Sequence, residues 1–379
     1  MFNKKVLGTL IKNAVRLHCD RLYCITKFPD EYKCLTDYMN ITEESKQYYQ
    51  NANEELLTAK LTEEIEDIVR EIGNENFSFD EKILNFLEYF RLNVMYESIG
   101  EKASKISQSA LNPVILGKGV CNAQAHFLEL LLLESGEEAA AMRVKLKDQD
   151  TGFVAEHKVA IVKSPNQDII YYLDPTWYNG TSSFNTERLS DDMLYGSQAK
   201  EFHTFESDIS KISQARKRVY EYLIKKYKIK EISHLLDLDG LSDLEKHARI
   251  IMYMSRHLVK ISETVRARSI LLEGKEIEIG KALELFYYAN GIEFSLAIKK
   301  NSSKRDAILL IWIDGKSAAI YPKKVFSLSE NNSLISKKWI AIQKEDGNFQ
   351  TIDQLNEYDS EIMKKQEAII DDIESKSKD

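Results

Sequence analysis

The chain has 379 residues, of which 43% are hydrophobic and 30% are charged, and its net charge is −8. This composition excludes a largely disordered protein, and the length suffices for two domains. The acidic balance disfavours nucleic acid as the main partner. No apolar run reaches the roughly 18 residues of a membrane span. We therefore expect a cytoplasmic protein that binds neither nucleic acid nor membrane.

The first 70 residues are predicted to form a charged, helical N-terminal region that is interrupted at Pro29. Four cysteines occur in the chain, and three of them lie in this region. The three are Cys19, Cys24 and Cys34, and the fourth is Cys121. So low a number favours reduced thiols over a disulfide framework. The paired Cys-x-x-Cys spacing of structural zinc sites is missing, so we expect no metal beside His18 and no other cofactor.

The next segment alternates between helical and strand patterns. Apolar residues recur at helical spacing from Phe79 to Tyr96. A second helix is predicted from about Asn122 to Ser135, apolar on nearly all sides and capped at Gly136. Strands are predicted over 139–147, 157–162 and 169–173, with a turn at 164–167. A buried helix followed by an antiparallel sheet predicts an α+β fold.

The second half of the chain repeats this order. Glu129-Leu130-Leu131 corresponds to Glu284-Leu285-Phe286, and Gly136 corresponds to Gly291, with 155 positions between the members of each pair. A constant offset over two features predicts an internal duplication of the core. The second copy is predicted to be degenerate.

These patterns predict five regions along the chain. They are a helical N-terminal region (1–70), a catalytic domain (71–200), a helical linker (201–240), a degenerate second domain (241–350) and a C-terminal helix or tail (351–379). The linker carries basic residues among tyrosines, for which a solvated helix face is favoured over a nucleic-acid or membrane surface. The second domain or the C-terminal helix is where we expect any protein partner to bind.

The candidate nucleophile is Cys121, which follows Gly117 and Gly119 at the start of the buried helix. A free cysteine has a pKa of about 8.5, and a helix N-terminus or an adjacent imidazolium lowers it. His157 begins one predicted strand and Asp174 ends the next. A thiol, an imidazole and a carboxylate in these positions are typical of a nucleophile with its base and its orienting group.

The predicted hairpin brings the histidine and the aspartate together. A turn centred on Pro165-Asn166 would place Ile161 opposite Ile170 and His157 opposite Asp174. Directly opposite residues have Cβ atoms about 4.5–5.5 Å apart. This separation permits a hydrogen bond that fixes the tautomer of the imidazole.

Three motifs now resemble a known family. Gly-Val-Cys at the start of an apolar helix, a histidine at a strand start and Asp-Pro-Thr after the next strand are similar to the transglutaminase-like superfamily, bacterial type. The resemblance covers roughly Phe79–Trp177 and includes the segment Asn93–Tyr96. It implies a papain-like core with Cys121 as nucleophile, His157 as base and Asp174 as orienter. Two features depart from the common pattern, namely a lysine after the histidine and Asn-Ala-Gln-Ala after the cysteine.

The backbone N–H of Cys121 is the predicted first donor of an oxyanion hole. Candidates for the second donor are Gln108, Asn112 and Gln124. His126 lies five residues after the cysteine and is predicted to be structural. The candidate substrate contacts are Gly119, Gln124 and Trp177, although packing is the favoured role of Trp177 and of its neighbour Tyr178.

Together the residues predict thiolate attack on an amide or ester carbonyl, followed by resolution of a thioester. We expect a peptidase or amidase that hydrolyses a peptide or isopeptide-type amide in a peptide or protein substrate. We expect water, and not an amine, to accept the acyl group. Transamidation requires a site that excludes water, and no residue of the sequence indicates such a site. Two alternatives stay open: a non-enzymatic scaffold that binds a peptide or protein, and a transamidase that cross-links proteins.

Overall fold

The chain falls into two compact units, Met1–Val219 and Tyr220–Asp379. A computed structural model describes residues 6–16, 54–96, 108–147, 154–176, 178, 202–243, 246–247, 249–250, 276–292, 294–301, 304–313, 316–320, 341–343 and 349–351. Several predicted features lie outside these described residues. They are His18, Cys19, Cys24, Cys34, Trp177 and the C-terminal helix.

The first unit combines helices with a four-stranded sheet. Its helices are α1 (6–16), α2 (Glu54–Ile72), α3 (Phe79–Asn93), α4 (Leu111–Leu116), α5 (Cys121–Glu134) and the first part of α6 (Ile209–Lys226). Its strands are β1 (Met95–Tyr96), β2 (Lys118–Gly119), β3 (Ala139–Lys147), β4 (Val154–Lys163), β5 (Ile170–Leu173) and β6 (Phe202–Thr204). The sheet order is β3-β4-β5-β6, with β6 parallel to β5 and the other pairs antiparallel. Strands β1 and β2 form a separate parallel pair.

Helix α3 begins at a capping box. The Ser78 backbone N–H donates to the Glu81 carboxylate at 3.0 Å, and the Glu81 N–H donates to the Ser78 hydroxyl at 3.4 Å. These bonds satisfy N–H groups that the first turn of a helix leaves free. Apart from the half-buried Phe79, the apolar residues of α3 are buried, and Phe90 packs against Phe127 of α5 with ring centroids 5.6 Å apart. The predicted helical pattern is therefore confirmed from Phe79 to Asn93, whereas Met95–Tyr96, which the pattern also covered, form strand β1.

Helix α5 is central to the core of the first unit. Ten of its 14 residues are buried, and it packs against β3 and β4. Each buried leucine stabilises the fold by about 2 kcal/mol. Gly136 follows in the left-handed conformation (φ 90°), and the Glu137 N–H reaches the Leu132 carbonyl at 2.9 Å. The predicted buried helix with a glycine cap is confirmed.

The β4–β5 hairpin differs from the predicted register by two residues. Ile161 pairs with Tyr172, where the prediction paired it with Ile170. The turn is longer than expected, because the bond that closes it runs from the Ser164 N–H to the Ile169 carbonyl at 2.8 Å and leaves four residues in the loop. A shift of two residues keeps each side chain on its predicted face, whereas a shift of one would reverse every face.

The second unit also combines helices and a sheet. Its elements are the last part of α6, α7 (Ile229–Leu235), α8 (Glu276–Ala289), β7 (Phe294–Asn301), β8 (Lys304–Ile313), β9 (Lys316–Ile320), β10 (Ala341–Gln343) and β11 (Phe349–Thr351). The sheet order is β11-β10-β9-β8-β7, and all the pairs are antiparallel. Helix α8 contacts β7 and β8.

Both units therefore belong to the α+β class, which confirms the coarse fold prediction. The described parts of the N-terminal region, residues 6–16 and 54–72, are helical as expected. Within the described ranges, every helix is too short or too polar to cross a lipid bilayer.

Candidate active site

Cys121 is the first residue of α5 and lies half-buried at the N-terminus of the helix. The cap residue Val120 is extended (φ −73°, ψ 172°) and supplies no side-chain hydrogen bond to the first turn. The partial positive charge of a helix N-terminus favours an anion at this position. The local backbone therefore favours the thiolate form of the cysteine.

Two predicted substrate contacts support the loop that precedes the cysteine. A Cβ atom at Gly119 would lie 2.7 Å from the Cβ of Ala123, so only glycine fits there without displacement of the helix. Gln124 is buried, and its Nε2 donates to the Gly119 carbonyl at 2.9 Å. Both residues thus have a structural contact next to Cys121, and their predicted contact with substrate stays a prediction.

His157 and Asp174 form the hydrogen bond that the sequence predicted. Nε2 of His157 lies 2.7 Å from Oδ2 of Asp174, and the two residues are only 7% and 4% exposed. Oδ1 of Asp174 accepts the Thr176 N–H at 3.0 Å, so both carboxylate oxygens are engaged. In the observed register the two residues are diagonal neighbours and not directly opposite, which a side chain as long as histidine still bridges.

The thiol of Cys121 completes the line of three residues through a hydrogen bond to His157. Because Nε2 of the imidazole bonds to Asp174, Nδ1 is the ring nitrogen that remains for the sulfur. The backbones of Asn122 and Lys158 also hydrogen-bond the sulfur. The structure thus brings together the three residues that the sequence predicted as nucleophile, base and orienter.

The electrostatics of this line favour a thiolate beside an imidazolium. Burial raises the pKa of Cys121, but the hydrogen bonds and the charge of His157 outweigh it and hold that pKa below its ordinary value. Burial lowers the pKa of His157, but the charge and hydrogen bond of Asp174 raise it to about 10. An ion pair between thiolate and imidazolium is the reactive form of a cysteine nucleophile.

A tyrosine that the sequence did not single out also lies at this site. The parallel pair of β1 and β2 places Tyr96 opposite Gly119, two residues before the cysteine. Its side chain is 45% exposed. Burial and the charges of Cys121 and Asp174 raise the pKa of Tyr96, so its hydroxyl stays protonated and able to donate. From the sequence, this residue was included only as the end of the segment Asn93–Tyr96, without a role in the site.

The other candidate donors make backbone contacts. The Gln108 carbonyl accepts Nδ2 of Asn122 at 3.1 Å, and the Asn112 N–H donates to the Ser109 carbonyl at 3.0 Å. Asn112 is 1% exposed. The second oxyanion donor therefore stays a prediction, with Tyr96 as an additional candidate.

Three further titratable side chains, Lys158, His126 and Glu129, form a second chain of contacts next to the candidate site. Lys158 Nζ lies 2.8 Å from His126 Nε2, and His126 Nδ1 lies 2.7 Å from the Glu129 carboxylate. A histidine that donates through Nδ1 to a carboxylate accepts through Nε2, so it holds the lysine ammonium. Burial, followed by the charge of Arg143, lowers the pKa of Lys158. His126 was predicted to be structural, and the structure shows that it links α5 to the residue after the candidate base.

Tyr178 packs in the core, which was its favoured role. It is 6% exposed, and its hydroxyl donates to Glu88 at 2.8 Å. Its neighbour Trp177 lies outside the described residues. Among the residues that the structure describes, no group of three or more His, Cys, Asp or Glu side chains is arranged to hold a metal ion.

The sequence was also compared with known protein families and with curated proteins, and neither comparison found a match.

Proposed function

We propose that this protein is a cysteine-nucleophile acyl-transfer enzyme that hydrolyses a peptide or isopeptide-type amide. The observation that carries the proposal is the line formed by Cys121, His157 and Asp174, with 2.7 Å between the imidazole and the carboxylate. Burial of the histidine and the aspartate keeps their interaction strong, since little water screens it.

The chemistry would run through a thioester. The Cys121 thiolate attacks the carbonyl carbon, and the oxyanion that forms accepts a hydrogen bond from the backbone N–H at the start of α5. His157 donates its proton to the leaving amine as the carbon–nitrogen bond breaks. The neutral imidazole then takes a proton from water, and the hydroxide that forms attacks the thioester. The products are a carboxylic acid and an amine, and the thiolate–imidazolium pair is restored.

The proposal includes the finer description of the fold, a papain-like core of transglutaminase-like type that is duplicated. The order of α5, β3, β4 and β5 in the first unit is repeated by α8, β7, β8 and β9 in the second. Both helices end at a glycine with positive φ, Gly136 and Gly291. These likenesses support a common origin of the two segments.

Alkylation by iodoacetamide near neutral pH tests the proposal, with mass spectrometry used to follow the Cys121 peptide separately from the other cysteines. We expect Cys121 to react several-fold faster than a free thiol at about pH 7, because the hydrogen bonds and the charge of His157 lower its pKa. Replacement His157→Ala is expected to abolish this advantage. Equal rates for Cys121, the His157→Ala variant and N-acetylcysteine would contradict the proposal.

Product analysis shows whether water or an amine accepts the acyl group. The protein is incubated with a library of peptides and an excess of a primary amine. The proposal expects carboxylic acid products, whereas a transamidase would yield amine adducts. A reactive thiol that cleaves no peptide or isopeptide, yet binds one tightly, would instead support the non-enzymatic scaffold.

A further inference from the structure

A buried carboxylate lies close to the candidate active site without belonging to it. Glu88 of α3 is 0% exposed. Its oxygens accept the Arg91 Nε at 2.8 Å, the Arg216 Nε and Nη2 at 3.2 Å each, and the Tyr178 hydroxyl at 2.8 Å. Burial raises the pKa of Glu88, but the charges of Arg91 and Arg216 outweigh it and keep the carboxyl ionised.

Tyr178 connects this carboxylate to the orienting aspartate. Its backbone N–H donates to the Asp174 carbonyl at 3.1 Å, which closes a turn, while its hydroxyl donates to Glu88. Inside the same turn the Thr176 N–H donates to the Asp174 side chain at 3.0 Å. The turn is therefore fixed at both ends, by the end of β5 and by the buried carboxylate.

We propose that Glu88, held by Arg216, positions Asp174 through Tyr178, so that α3 and α6 set the geometry of the candidate site. This inference rests on the proposed function, since positioning matters only if Asp174 orients His157. Neither Glu88 nor Arg216 touches the reacting atoms, so both are positioning residues.

The ion pairs of Glu88 are better explained by a positioning role than by a contribution to the stability of the core. Desolvation of a buried carboxylate is unfavourable, and its ion pairs roughly offset that penalty. Apolar side chains of similar volume would stabilise the core at least as well. The charged cluster in this place instead gives the Tyr178 hydroxyl a strong acceptor, and that bond fixes one end of the turn after β5.

Arg216 makes this inference specific to the present chain. It lies in α6, outside the segment Phe79–Trp177 that resembles the transglutaminase-like superfamily and inside the region predicted to be a linker. A fragment that ends before α6 would then keep Cys121, His157 and Asp174 but lose part of what orients them.

Two pairs of matched variants test the inference in the full-length protein. Tyr178→Phe removes the hydroxyl that meets Glu88, and Tyr89→Phe removes a buried hydroxyl of α3 that contacts Glu64 and Asn93. Arg216→Gln removes the arginine at Glu88, and Arg218→Gln removes a second ion pair between α6 and α3, the one with Glu81. Each control resembles its test variant in burial or in the helices it joins, and the partners named for the controls, Glu64, Asn93 and Glu81, lie outside the Asp174 turn.

The readout is the pH profile of iodoacetamide alkylation at Cys121. Looser placement of Asp174 lowers the fraction of His157 that is imidazolium, so the thiolate forms at higher pH. We expect Tyr178→Phe and Arg216→Gln to slow alkylation about 3- to 10-fold at about pH 6, a shift of the profile by one half to one pH unit. Arg216→Lys is expected to restore part of the rate, while Tyr89→Phe and Arg218→Gln stay at the wild-type rate.

The possible failures are distinguishable. If the wild type alkylates faster than His157→Ala but the test variants match their controls, the positioning inference is wrong and the proposed function stands. If the test and control variants all slow alkylation alike, the effect is general destabilisation, and the inference is again wrong. If the wild type reacts no faster than His157→Ala, the proposed function fails and the inference fails with it.

Discussion

Helices α5 and α8, one in each unit, end in the same way and begin differently. Gly136 after α5 (φ 90°) and Gly291 after α8 (φ 69°) both adopt the left-handed conformation. The N–H of the next residue bonds back to the Leu132 carbonyl at 2.9 Å in one unit and to the Tyr287 carbonyl at 3.0 Å in the other. The two helices are thus closed by the same Schellman-type bond.

A lysine from a preceding segment bonds to the end of each helix. Nζ of Lys82 donates to the Ser135 carbonyl at 2.9 Å, and Nζ of Lys246 donates to the Asn290 carbonyl at 3.2 Å. Ser135 and Asn290 are separated by 155 positions, as are the two capping glycines. These matched contacts support the proposed duplication.

The difference between the helices lies at their first residues. Helix α5 begins at Cys121 and α8 begins at Glu276, again 155 positions apart. Strand β4 contains His157, whereas the sequences of β7 and β8 contain no histidine. The contacts that close the two helices are therefore shared, whereas Cys121 and His157 have no counterpart at Glu276 or in the sequences of β7 and β8.

The largest expected difference is between the alkylation rates of two cysteines, one at the first residue of α5 and one introduced at Glu276 of α8. Glu276→Cys places a thiol at the first described residue of α8, and the sequences of β7 and β8 supply no histidine to it. We expect this thiol to alkylate at least about 10-fold slower than Cys121 at about pH 6, because only the helix N-terminus would favour its thiolate. Measurement in a Cys121→Ser background separates the two sites. A rate at position 276 equal to that of Cys121 would show that the helix start alone activates a thiol.

The two lysines are expected to differ in their contribution to stability. Lys82 also pairs with Glu137 at 2.7 Å, and both side chains are about 90% buried. Lys82→Met leaves that carboxylate without a partner and is expected to lower the free energy of unfolding by about 3 kcal/mol. Lys246→Met mainly removes a hydrogen bond to the neutral Asn290 carbonyl and is expected to lower the free energy of unfolding by about 1 kcal/mol.

Urea denaturation measures both losses. The double variant Lys82→Met/Glu137→Leu serves as the control, because it removes both charges and is expected to recover most of the stability. Equal losses for the two single variants, with no recovery in the double variant, would refute a special role for the ion pair at Lys82.

Asp174→Asn is expected to narrow the pH range in which Cys121 is reactive. The charge of Asp174 raises the pKa of His157, so the asparagine variant lowers that pKa from about 10 toward its ordinary value. With less imidazolium beside it, Cys121 loses part of what lowers its own pKa. We expect alkylation about 30-fold slower at about pH 6 and almost unchanged near pH 9, where a free thiol is also ionised. A uniform loss at every pH would point to misfolding instead.

The smallest effect is expected at the two capping glycines. A Cβ atom at Gly136 or at Gly291 would meet nothing within 4 Å, so the cost of alanine there is backbone strain alone. We expect each Gly→Ala variant to lose about 1 kcal/mol. Hydrogen exchange at the amides of Glu137 and Ile292 reports each cap separately. A loss at only one of them would weaken the likeness between the two helix ends.

Local patterns predicted much of the first unit. The apolar run after Cys121 and the glycine that ends it predicted α5 and its cap, and strand β3 has its predicted bounds, Ala139 and Lys147. Strand β4 was predicted to begin at His157 and begins three residues earlier, at Val154. The contact between His157 and Asp174 was also predicted, although from a register that is two residues off. The contact survived the error because a shift by two keeps both side chains on one face.

Contacts between distant segments could not be predicted in this way. Glu88 is 90 residues from Tyr178 and 128 residues from Arg216, and in α3 it stands between apolar residues like any polar side chain of an amphipathic helix. The bond from Lys158 to His126 depends on how α5 lies on β4. No spacing within one segment reports such contacts, since tertiary packing alone creates them.

The central claim is that Cys121 and His157 form a thiolate–imidazolium pair. Its most direct test is an ultraviolet titration of thiolate absorbance, taken as the difference between the wild type and Cys121→Ser. The account predicts that thiolate absorbance appears at a lower pH in the wild type than in His157→Ala, because the hydrogen bond and the charge of His157 lower the pKa of Cys121. Absorbance that appears only near pH 8.5 or above in both proteins would contradict it.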